Sequence, residues 1–189
     1  MKRKPKFSWS VFLVITMAVI ILVVVGWYFL KEFRFQTYVN QRHGFQIDYP
    51  VNWIFEENIN GALVIFYSPL ENQLDFFKDN INIVIQDISA SPMGLAEYSE
   101  TAVNQMKLVF GEQMKIHEYK DTSLGGFPAK RLVFTGPGPQ SDLKYLTVWT
   151  VNRNVVYQLT YLSVASQYNH HVLKILKMIR SFHRLPAPS

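Results

Sequence analysis

"LKYLTVWTVNRNVVYQLTYLSV", residues 143–164, carries two apolar runs of strand length on either side of a short polar turn. Val, Thr, Tyr and Trp suit a pleated, half-buried surface, and "NRN" between the runs joins them as an antiparallel hairpin. Alternation groups Tyr145, Trp149, Tyr157 and Tyr161 on one face and Leu146, Val148, Val156 and Leu162 on the other. Both faces are largely apolar, so both need covers. The fold expected is therefore α+β: an antiparallel sheet flanked by helices on both faces, an α/β/α sandwich.

Two segments have the pattern of those covers. Leu95, Tyr98, Ala102, Met106 and Val109 fall on one helical stripe, with Gly94 placed as N-cap and Gly111 as stop, which predicts a helix over 95–110. In "SQYNHHVLKILKMIRSF", Val172, Ile175, Leu176, Ile179 and Phe182 share a helical register. Further strands are expected at 35–39, at 45–49, from Ala62, and at 80–88, where Ile81, Ile83 and Ile85 oppose Asn82, Val84 and Gln86. "QMKIHEYK" and "PAKRLVFTG" pair through "SLGG", whose two glycines permit a tight turn. In "GFQIDYPVNW", residues 44–53, Phe45, Ile47 and Tyr49 alternate, Pro50 stops the strand, and Trp53 closes a core.

The N-terminal part has a different character. Residues 7–30 run without a charge, longer than the roughly 20 apolar residues that cross a bilayer. Trp9, Trp27 and Tyr28 sit near its ends, as interface residues do. A signal peptide is shorter and ends in small residues, whereas this run ends "GWYFLKEF". The expected organisation is a basic cytoplasmic tail (1–6), a transmembrane signal anchor (7–30), an extracytoplasmic domain (31–183) and a frayed tail (184–189). Lys2, Arg3, Lys4 and Lys6 supply most of the net charge of +5. The basicity is thus a topology signal and not a footprint for nucleic acid.

Chemistry-bearing patterns are sparse. The chain has no cysteine, which excludes disulfides, thiolate metal sites and lipidation on cysteine. Glu71, Asp75, Asp79 and Asp87 put carboxylates around one loop, of which Asp75 and Asp79 are the candidates for calcium or manganese; no D-x-D-x-D-G loop accompanies them. His170 and His171 are adjacent, about 100° apart on a helix, and so cannot share one ion there. His43 and His117 stand alone. No G-x-S-x-G, H-E-x-x-H or phosphate-loop pattern occurs, and "TGPGPQSD" reads as a flexible connection. No catalytic residue and no resident cofactor are expected.

The pieces "GFQIDYPVNW", "VIFYSPLE", "DNINIVIQDIS", "LAEYSE", "GGFPAKRLVFTG", "LKYLTVWTV", "VVYQLTY" and "MIRSF" occur in an order that resembles the PsbP family, and more distantly the Mog-type sandwich. The resemblance spans about residues 35–183. It implies a non-catalytic binding or assembly module on the outer face of an energy-transducing membrane. In phototrophs such proteins support photosystem II and its oxygen-evolving complex, retaining calcium and chloride there. This chain carries its own apolar anchor where plastid members have a transit peptide and cyanobacterial members a lipidated cysteine. The alternative from another class is an envelope enzyme or transport accessory with a cleft-based site.

Overall fold

The computed structural model describes residues 9–32, 34–70 and 75–185, except for the side chains of 10–12 and 28–32. The calls on residues 1–8, Glu71 and residues 186–189 lie outside the described residues. The chain divides into two units, Met1–Phe35 and Gln36–Ser189. The first contains one helix, α1 (Trp9–Glu32, 24 residues). Among the described residues no helix is long and apolar enough to cross a membrane.

The second unit is built on a seven-stranded sheet of spatial order β3-β4-β5-β9-β8-β7-β6, antiparallel throughout. Its strands are β3 (Ile54–Ile59), β4 (Ala62–Tyr67), β5 (Asn80–Asp87), β6 (Lys115–Leu124), β7 (Phe127–Gly136), β8 (Leu143–Asn152) and β9 (Val155–Val164). Three hairpins turn on two residues that both have positive φ: Asn60–Gly61, Gly125–Gly126 and Arg153–Asn154. That geometry matches the twist of the flanking strands. A second sheet, β1-β2-β10, joins β1 (Phe35–Asn40) and β2 (Phe45–Pro50) to β10 (His183–Arg184) at the far end of the chain. The expected single sheet is therefore two.

Helix α2 (Leu95–Phe110) covers one face of the large sheet, over a core of Leu132, Phe134, Trp149 and Val156. Gly94 does precede it in extended conformation, and Gly111 ends it at φ 57 with its N–H on the Lys107 carbonyl. The stripe departs from expectation at its end: Val109 is exposed, and Phe110 packs on Phe134 and Tyr145 instead. Helix α3 (Val172–Ser181) and the small sheet share the opposite face. There Phe45 stacks on Phe182, and Tyr38, Tyr49, Phe55 and Phe66 form an edge-on and tilted aromatic cluster.

The central hairpin corrects one expectation. Its turn has two residues, not three, so odd positions pair with even ones: Leu146 with Tyr161, Trp149 with Gln158. A shift of one residue moves a whole strand's side chains to the other face. Tyr157 and Tyr161 therefore share the α3 face with Leu146 and Val148, while Tyr145 and Trp149 share the α2 face with Val156 and Leu162.

Candidate functional site

Polar chemistry in the second unit concentrates on the α3 face, in two places. The first is buried. Asp79, just before β5, is 4% exposed. Its carboxylate accepts the Tyr161 hydroxyl at 2.6 Å and faces His171 Nδ1 at 3.2 Å. The Tyr161 hydroxyl also lies 3.1 Å from the Tyr168 carbonyl. Burial, followed by the Asp79 charge and hydrogen bond, pushes the Tyr161 phenol far above its usual range. Burial likewise raises Tyr168, to about 12. Trp53 packs edge-on against the His171 ring at 5.4 Å and is 3% exposed, as a core-closing ring.

This placement bears on the residues singled out by sequence. Asp79 is engaged by protein donors, and Asp75 accepts the Phe77 amide at 3.2 Å in a local turn. Among the described residues no group of three metal-ligating side chains converges. The adjacent histidines part company: His171 is buried just before α3, whereas His170 is exposed in the preceding 3₁₀ turn. His117 sits at the register shift of β6, within 3.1 Å of the Thr135 hydroxyl.

The second place is a cleft of about 490 Å³ between α3 and the β6–β7 hairpin. Val148, Leu176, Ile179 and Phe182 give it an apolar floor, and Lys120, Arg131 and Arg180 bring three cations to its lining. Strand alternation explains the first two: Lys120 and Arg131 are register partners, with Val148 next to Arg131 on β8, so all three project from one face. Glu118, two residues along β6, clamps the pair. Lys120 Nζ donates to one of its oxygens at 3.0 Å, and Arg131 Nε lies 2.7 Å from the other as an ion pair without hydrogen-bond alignment. Arg180 comes from the last turn of α3, and no ion pair to it occurs among the described residues. The hairpin tip closes one end, where a Cβ on Gly125 would stand 3.4 Å from the Phe182 ring and 3.6 Å from the His183 backbone.

Ser123 and His183 also line the cleft. A nucleophile needs a base within hydrogen-bond reach. No hydrogen bond joins these two among the described residues, and His183 Nδ1 is directed to the Ser181 carbonyl at 2.8 Å. Sequence reasoning missed the cleft, because its cations come from β6, β7 and α3 and no local motif links them. Alternation on β6 and β7 was the one available signal.

The domain is antiparallel α+β and carries a preformed cationic cleft. The PsbP family model matches residues 33–184, and the chain belongs to that family. Its fold is similar to cyanobacterial PsbP from Synechocystis, at 14% identity, a TM-score of 0.59, and coverage of 79% of this chain and 92% of that one. It is also similar to LpqN of Mycobacterium tuberculosis, described as involved in cell envelope biogenesis, at 14% identity, a TM-score of 0.59, and coverage of 81% and 91%. The Ran-binding protein Mog1p of Saccharomyces cerevisiae shares the fold at 10% identity and a TM-score of 0.58, with coverage of 80% and 96%. A comparison with the sequences of curated proteins gives no match.

Proposed function

We propose that the chain is a non-catalytic binding and assembly module, tethered to a membrane by residues 7–30 and presenting its PsbP-family domain on the extracytoplasmic side. The cleft carries this reading: two of its three cations, Lys120 and Arg131, are held ready by Glu118, and such a group is suited to recognition. The tether rests on the helical backbone from Trp9 to Glu32 and on a sequence free of charge to Leu30. Its orientation follows from the four early cations. In a host with an oxygen-evolving photosystem, the same module supports or assembles photosystem II. Asp75 and Asp79 are structural in this reading and hold neither calcium nor manganese.

External protease on intact cells tests the topology: the domain should be digested while a short anchor fragment stays in the membrane. A free domain beginning near residue 33 without added protease would mean cleavage and sink the tether. In a phototrophic host, oxygen evolution should fall when the chain is deleted, and an unchanged rate in calcium-poor medium would remove the photosystem role.

A further inference from the structure

We infer that the cleft between α3 and the β6–β7 hairpin binds a small amphipathic anion, a phosphate or carboxylate carried on a short apolar body. The proposal deepens the binding-module reading and rests on it for the site.

Size comes first. A volume of about 490 Å³ falls within the range of small-molecule sites, roughly 300 to 1,000 Å³. The lining then divides the ligand into two ends. Val148, Leu176, Ile179 and Phe182 offer a surface that rewards burial of a few methylenes. Lys120, Arg131 and Arg180 face the same space, and Glu118 pairs with the first two, so the group keeps an excess of positive charge.

The geometry of that excess favours a planar or tetrahedral oxyanion. Glu118 pairs with Arg131 on the Nε side of the guanidinium. A guanidinium carries five N–H donors, so its remaining ones stay available for an oxyanion fork. Glu118 also fixes Lys120, so two cations are ordered before any ligand arrives and less freedom is lost on binding. Arg180 completes the ring from the opposite wall. Thr122 and Ser123 add hydroxyls, which donate to an anion as readily as to water.

Calorimetry on the full chain in phosphatidylcholine nanodiscs, with empty discs as blank, tests this using n-butyl phosphate as probe. The expected result is one saturable site with a Kd below about 5 mM. Inorganic phosphate should bind about tenfold more weakly because it lacks the apolar end, and n-butanol not measurably. Arg180→Gln and Lys120→Gln, both at exposed positions, should each weaken butyl phosphate about tenfold, while Lys107→Gln on α2 changes nothing. Adding phosphatidylglycerol to the discs separates the sources. Competition assigns the site to a lipid headgroup and its absence to a free ligand, and both uphold the anion. No saturable heat up to about 10 mM, equal binding by n-butanol, or unaltered affinity in both cleft variants would overturn the proposal. That failure would leave the protease-mapped topology standing, so the two readings fail separately.

Discussion

The two faces of the seven-stranded sheet solve the same burial problem differently. The α2 face is closed by a single helix over an apolar core, and a buried polar link runs from the Trp149 indole N–H to the Ser99 hydroxyl at 2.8 Å. Ser99 in turn donates to the Leu95 carbonyl, one turn earlier in α2. The α3 face shares its cover between a helix and a second sheet. On that face it also holds a buried carboxylate, two raised phenols and, between α3 and the β6–β7 hairpin, a cationic cleft. Apolar packing is enough to stabilise one face; the other gives up part of that packing to hold charge, and the cleft lies there.

The largest break in this contrast should come from Trp53. Truncating a buried Trp costs about 3 to 5 kcal/mol, so Trp53→Ala should unfold a marginal domain or lower its melting temperature steeply. Its indole N–H is buried and has no hydrogen-bond partner among the described residues. Trp53→Phe should therefore be much milder, and equal losses for the two variants in thermal unfolding would mean that shape, not ring burial, governs the site.

Next comes the buried acid. Tyr161→Phe removes a hydrogen bond to a carboxylate, worth about 1.5 to 3 kcal/mol in chemical denaturation. Ser99→Ala strands the neutral Trp149 N–H and should cost less, about 1 to 2 kcal/mol. A larger loss at Ser99 than at Tyr161 would reverse the assignment of the charged face.

Alkaline titration sharpens the same point. Tyr38, beside Glu57, and Tyr168 are both raised to about 12, chiefly by burial, and Tyr161 is raised further. A raised phenol stabilises the fold below its unfolded value near 10, and that stability drains as pH climbs toward 12. Absorbance of tyrosinate should show these three phenols ionising only with unfolding, and Tyr161→Phe should flatten the alkaline loss. The smallest effect belongs to Leu108, 85% exposed on α2: Leu108→Ser should shift stability by no more than about 0.5 kcal/mol.

Much of this architecture was legible in the sequence because it is local. The helix over 95–110, the alternation of Ile81, Ile83 and Ile85, and the glycine turn at 125–126 each carry their own period or turn chemistry. Strand β3 was not read, since as an edge strand exposed along most of its length it has no apolar alternation. Asn60–Gly61 was the unused signal, the strongest short hairpin cue a sequence offers. The face assignment of Tyr157 and Tyr161 failed on a single residue of turn length, to which periodicity is blind. The cleft and the Asp79–Tyr161–His171 contact depend on pairings across the whole chain, and no window of sequence contains them.

The last of those long pairings has a consequence in time. Strand β2 finds its partner in His183 and Arg184, and its Asp48 amide donates to Ser181 Oγ across 133 residues. The Arg184 guanidinium is held 5.7 Å from the Phe127 ring and 5.2 Å from the Tyr157 ring. During synthesis, β2 therefore emerges long before β10 and keeps that edge open until β10 has followed it. An open edge is a template for foreign strands. Strand β10 acts as a clasp, and the interval before it closes is when this edge is most exposed to mispairing.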